Sequence, residues 1–139
     1  MTRKWWVLAA VAVGFAARRA ERTMNERAVP LMGVMAAFIF ATQMMNFPIA
    51  GGTSGHLLGG ALAAILLGPW AAIIVMASVI GLQALLFQDG GLVVLGANIT
   101  NMGLVTVGVG YVTFRLLMPI ARRGTSGHVV AAGLAAWLS

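Results

Sequence analysis

Only two residues in this chain carry an imidazole, His56 and His128, and each closes a GTSGH pentapeptide, at Gly52–His56 and Gly124–His128. Imidazole near neutral pH binds transition metals, shuttles protons or simply hydrogen-bonds. The other reactive groups are few. There is no cysteine, so thiolate metal sites and cysteine nucleophiles are excluded. The acids are Glu21, Glu26 and Asp89. Ser54 and His56 stand two apart with Asp89 as the only acid nearby in the topology below, so no Ser/His/acid set forms. The chain contains no P-loop and does not hydrolyse ATP itself. What remains for His56 is a cap, a hydrogen-bond partner or a metal ligand, and spacing alone leaves these open. His128 follows Arg122 and Arg123 and reads as a solvated residue near lipid headgroups. The two pentapeptides precede similar apolar runs, but the wider flanks do not match, so the repeat reads as coincidence rather than an inverted repeat.

The elements that must position these residues follow from composition. The chain is 60% hydrophobic and 9% charged, against about 25% charged in soluble domains. Such a chain cannot cover itself with polar surface, so its solvent must be lipid. Uncharged runs at Trp5–Ala17 and Ala28–Phe47 mark two spans. The run Leu57–Phe87 would measure roughly 46 Å as one helix, too long for a hydrocarbon core of about 30 Å. Gly68-Pro69 divides it into two shorter helices. Asn98–Met118 is the next span, with Asn98 as a plausible N-cap and Pro119 as its end, and Val129–Leu138 opens a last helix. The fold class is all-α, a polytopic transmembrane bundle of about six segments in one domain over residues 1–139.

Basic residues orient the bundle. Arg18, Arg19, Arg22 and Arg27 lie between the first two spans, and Arg115, Arg122 and Arg123 lie at the end of the fifth. Counting spans places both groups on the cytoplasmic side, as the positive-inside rule requires, while Arg3 and Lys4 fall on the other side. Basic residues grouped beside apolar segments account for the net charge of +6 without nucleic acid. The head has the basic start and apolar stretch of a signal peptide, but the arginine cluster that follows speaks against cleavage.

On this count, polar groups from several regions gather at the outer face: Gln43 and Asn46, then Thr53, Ser54 and His56, then Gln83, Gln88 and Asp89, then Asn98 and Asn101. Amides at wet helix ends also cap or touch water, but the inner ends show no similar enrichment. The glycine-rich stretch PIAGGTSGHLLGG permits tight turns that fold into the mouth of the bundle. No Asp, Glu, Lys or His lies in the middle of a span, so a buried proton relay is absent and uphill movement would draw energy from another subunit.

Between Val29 and Gly103 the motifs NFP, GGTSGHLLGG, LGPW, QALLF, DGGL, LGANI and NM occur in the order of the CbiM/NikM family, which the chain resembles over this core of residues 29–103. The resemblance implies the substrate-capture component of an energy-coupling factor transporter, with Co²⁺ or Ni²⁺ as transported substrate and no organic cofactor. It implies a multi-pass protein of the cytoplasmic membrane, embedded in lipid. Its partners would be a transmembrane coupling protein, a pair of cytoplasmic ATPases and a small accessory membrane subunit, with no nucleic acid. The family's histidine in GGTSGH is a metal ligand, here His56. Gln43, Asn46, Asn98 and Asn101, with Thr53 and Ser54, are then candidates to hold its ring. Family members open Met-His-Ile and use that head to complete the site. This chain opens Met-Thr-Arg-Lys, and Thr2 carries no imidazole. Family members also usually continue beyond the position of Ser139, so the resemblance implies a chain shortened at both ends relative to the family.

Two other readings stand beside this one. A vitamin-capturing relative would need an aromatic-lined pocket, whereas Trp5, Trp6, Trp70 and Trp137 fall near helix ends, where they read as interface anchors. A non-transporting membrane scaffold would be indifferent to loss of His56. Small residues at Ala10/Gly14 and Ala12/Ala16 suit close helix packing, within the bundle or against the coupling protein.

Overall fold

Glycines and a proline set the breaks in an otherwise continuous helical pattern. The computed structural model describes residues 2–45, 47–49, 53–55, 58–88, 90–121 and 125–138. Helix α1 spans Thr2–Thr23 and α2 spans Ala28–Met44. Strands β1 (Phe47–Ile49) and β2 (Thr53–Gly55) pair antiparallel, with Phe47 opposite Gly55, Pro48 opposite Ser54 and Ile49 opposite Thr53. Helix α3 runs Gly60–Leu67 and α4 runs Pro69–Leu86. Between them Gly68 adopts φ +83°, and Pro69, which lacks an N–H, takes the first helical position. Then α5 (Gly91–Asn98), a π-helical segment (Ile99–Val105) and α6 (Thr106–Ala121) form one continuous rod, followed by α7 (Thr125–Leu138).

The helical class and the division at Gly68-Pro69 are as expected from sequence. Several local expectations are corrected. Helix α1 extends beyond the apolar run Trp5–Ala17 at both ends, because charged residues at helix ends do not interrupt backbone hydrogen bonding. Helix α2 stops at Met44, and the residues beyond it enter the β-ribbon. Asn98 is not an N-cap: it has helical dihedrals (φ −64°, ψ −45°) inside the rod, whose start is set by Gly90 at φ +72°. Pro119 lies within α6, near its end, and α7 begins at Thr125 rather than Val129.

The packing inverts that of a water-soluble protein. More than half of the buried hydrophobic residues are alanines, among them Ala16, Ala63, Ala64 and Ala72, while Val7, Val11, Leu85, Leu86, Val93, Val112 and Leu116 point outward. In water that arrangement would be costly, at roughly 25 cal/mol for each Å² of apolar surface left exposed. In lipid the outward side chains cost nothing, and small residues inside let helices approach. Pro69–Leu86 and Gly91–Pro119 are long and apolar enough to cross a membrane, while Ala28–Met44 is apolar but shorter. Among the described residues every charged side chain is exposed, and the buried polar ones are Gln43, Gln83, Thr100 and Thr106.

Backbone contact fixes the helix crossings. A methyl at Gly96 would stand 2.8 Å from the backbone nitrogen of Trp6, so α1 crosses α5 there. A methyl at Gly110 would stand 2.7 Å from Ala61 Cα, which joins α6 to α3. Ala16 is buried and Ala12 half-buried in the bundle, whereas Ala10 and Gly14 face outward. At one end Phe15 meets Trp70 edge-on, with ring centroids 5.4 Å apart, and Arg19 lies over Phe15. This ties the arginine end of α1 to the start of α4. At the other end of α4, Phe87 packs against Phe40 of α2 at 5.6 Å.

Because backbone atoms cannot yield as a side-chain tip can, Gly96→Val and Gly110→Val should each destabilise the detergent-solubilised protein by about 1–3 kcal/mol. Gly81, with open space around it, should accept alanine with no loss, since alanine is the better helix former. Thermal melts of the three variants check the contrast.

Candidate functional site

At the Phe40–Phe87 end, α2 and α4 each carry one carboxamide on an otherwise apolar helix. Gln43 is 5% and Gln83 is 4% exposed, so neither is solvated. Burying such a group without a partner costs about 1–3 kcal/mol. Here each has one: Gln83 Nε2 donates to Gln43 Oε1 at 2.9 Å, and Gln43 Nε2 donates to the backbone oxygen of Leu58. The direction of this chain is set by its last member. The Leu58 carbonyl can only accept, so Gln43 must present its NH₂ there and its oxygen to Gln83.

Leu58 is the first of three consecutive residues held by different contacts. Gly59 follows at φ +76°, where a side chain would be strained, and a methyl on it would press within 3.0 Å of the Ile39 side chain. Gly60, the first residue of α3, lies against Thr106, with room for no side chain: a methyl would come within 3.0 Å of Thr106 Cβ. The segment leaving the β-ribbon is thereby clamped by α2, α4 and α6 together.

The candidate residues from the sequence are distributed as follows. Gln43 is buried and engaged as described. Thr53 and Ser54 lie in β2, opposite Ile49 and Pro48. His56 and Asn46 fall outside the described residues. Asn98 is half-buried, with its side-chain nitrogen against Gly90, and Asn101 is exposed on the π-helical segment. Among the described residues neither asparagine hydrogen-bonds to Gln43 or Gln83. Among the described residues no three His, Asp or Glu side chains converge. Thr100 and Thr106 bond back to the carbonyls of Gly96 and Met102 in their own rod. Buried side-chain polar atoms among the described residues are all paired.

Sequence reasoning placed Gln83 at the outer end but left it out of the site. The signal was present: Gln43 and Gln83 are each the only amide of their helix, within its last turn. Two such groups on neighbouring helices in lipid are expected to find each other. The π-helical segment had no comparable signature.

The profile described as the CbiM cobalt-uptake substrate-specific transmembrane region matches residues 2–139. A Haloquadratum walsbyi protein provisionally named a metal transport protein is 44% identical over 133 residues, 96% of this chain and 58% of its own length. The fused nickel transport protein NikMN of Rhodobacter capsulatus is 40% identical over 120 residues, 86% of this chain and 35% of its own. A crystal structure of a transition metal transporter superposes with TM-score 0.87 at 34% identity, covering 99% of this chain and 59% of that one. The chain thus spans about half the length of the relatives it matches.

The clamp at Gly59 gives a direct check. Gly59→Ala should destabilise by about 1–3 kcal/mol through left-handed backbone strain, with the contact on Ile39 added. In the double variant with Ile39→Ala the contact part should vanish. The pair should therefore be less destabilised than the sum of the two single changes, as read by thermal melts.

Proposed function

Since the chain belongs to the CbiM family of cobalt-uptake substrate-specific transmembrane proteins, we propose that it captures Co²⁺ or Ni²⁺ for import across the cytoplasmic membrane as the substrate-binding component of an energy-coupling factor transporter. The observation that carries the proposal is the family match over residues 2–139. In this reading the chain is a single multi-pass domain over residues 1–139. The arginine end faces the cytoplasm and the Gln43–Gln83 end faces outward.

Capture is by nitrogen ligation at the outer mouth, with His56 supplying an imidazole. Imidazole suits both metals, and a planar nitrogen set favours Ni²⁺. Thr53, Ser54, Asn46, Asn98 and Asn101 remain candidates to orient the ring. The chain itself catalyses no reaction in this reading. The described interior holds no ionisable side chain, so protons are not the coupling currency through it. ATP hydrolysis in a pair of cytoplasmic partners, relayed by a transmembrane coupling protein and a small accessory membrane subunit, would drive reorientation and release inside.

Isothermal titration of Ni²⁺ and of Co²⁺ into purified wild type and His56→Ala tests the assignment. Removing a ligand should weaken binding by tenfold or more, since a change even in a residue supporting a ligand costs about 10–100-fold. Equal affinity in the two proteins would end the role given to His56.

A further inference from the structure

We infer that Gln83 is a positioning residue for capture: through Gln43 it fixes the Leu58 carbonyl, which follows the GTSGH motif by two residues in sequence. This rests on the reading of that segment as the capture loop.

Three observations carry the inference. First, the two carboxamides are buried and bonded in series, Gln83 to Gln43 to Leu58 O, with a direction that the terminal carbonyl dictates. Second, the series ends on backbone two residues after His56, rather than on another side chain. A bond to backbone restrains the chain itself, and does so whatever the side chain there. Third, the next two residues, Gly59 and Gly60, are set against Ile39 and Thr106 with no space for a side chain. The loop's exit therefore has no slack of its own, and the adjustable contact is the one made by Gln43. Its geometry is controlled by whether Gln83 occupies its oxygen. With Gln83 in place, the Gln43 oxygen is held and its NH₂ is aimed at Leu58. Without Gln83 the Gln43 carboxamide has one fixed point and is free to turn. Gln83 sits on α4 and Gln43 on α2, so the series also links the loop to a helix that the ribbon does not join directly.

The test uses Gln83→Met, Gln43→Met and the double variant, because methionine keeps the length of the side chain and removes both hydrogen-bonding functions. Ser78→Ala, whose hydroxyl bonds only to Ile74 O within α4, is the control. Amide hydrogen exchange over residues 47–58 and titration with Ni²⁺ alone are read on the full chain in detergent. Gln83→Met should speed exchange across 47–58 about tenfold. It should also weaken Ni²⁺ binding about tenfold, the lower end for a residue that supports a metal ligand. In the Gln43→Met background it should add nothing, since the series is already cut. Unchanged exchange in 47–58, exchange accelerated equally along α2 and α4, or full additivity in the double variant would each overturn the inference. Wild type that binds no Ni²⁺ would instead overturn the capture reading, leaving Gln83 as an anchor of the loop with no part in capture. Faster exchange with unchanged Ni²⁺ affinity, in a protein that loses binding on His56→Ala, would overturn the inference alone.

Discussion

A carbonyl oxygen can only accept, and inside an apolar bundle something must be provided for it to accept from. At the exit of the β-ribbon that requirement falls on Leu58, where the chain has left the ribbon ladder and has not yet entered α3. The partner comes from Gln43, and Gln43 in turn is oriented by Gln83. The rest of the local structure is arranged around this one bond. Gly59 turns left-handed over Ile39, Gly60 starts α3 against Thr106, and Phe40 of α2 meets Phe87 at the end of α4. Irregular backbone inside an apolar bundle is tolerated only where protein satisfies it, and Gln43 does so for Leu58.

The same constraint explains why the helices look alike in composition yet pack in one way. With no gain from hiding valine or leucine from lipid, the bundle is sorted by shape. Alanines and glycines go inward, where Gly96 meets the backbone of α1 and Gly110 meets α3. Larger residues go outward. The charged residues among the described ones are confined to exposed positions, with Arg18, Arg19 and Arg22 of α1 collected at the Trp70 end and Arg3 and Lys4 at its start. Polar chemistry is left to the opposite end, where the buried groups are neutral.

Much of the helical layout is legible in the sequence because its signals are local. Gly68-Pro69 breaks a run that is too long for a bilayer, and a proline without an N–H is stable at the first helical position whatever surrounds it. Asn98 misled for the converse reason. An asparagine after an apolar run has the chemistry of a cap, but Gly90 had already started the rod, so Asn98 entered it as an interior residue beside the π-helical segment. The β-ribbon was equally hidden, since PIAGGTSG has the composition of a loop and its pairing depends on the register of residues 47–49 against 53–55. The site was half legible. Gln43 stood out as a polar residue, but its partners, one forty residues away and one a backbone atom, are set by how α2 and α4 face each other. His56, the residue of greatest chemical interest, was identified by motif and lies outside the described residues.

Why should carboxamides, rather than a carboxylate and a base, occupy the buried end? A series that runs from one side chain through another to a carbonyl needs a middle member that accepts at one atom and donates at another, and glutamine does both without carrying charge. An ionised carboxylate at position 43 would accept from Gln83 but have nothing to give Leu58. It would also place a negative charge in a region of low dielectric, at a cost that a lone neutral neighbour does not offset. In the capture reading proposed above, such a charge would also deepen the well for a dication held nearby. Neutral dipoles hold the Leu58 carbonyl through hydrogen bonds without placing a charge among the buried groups.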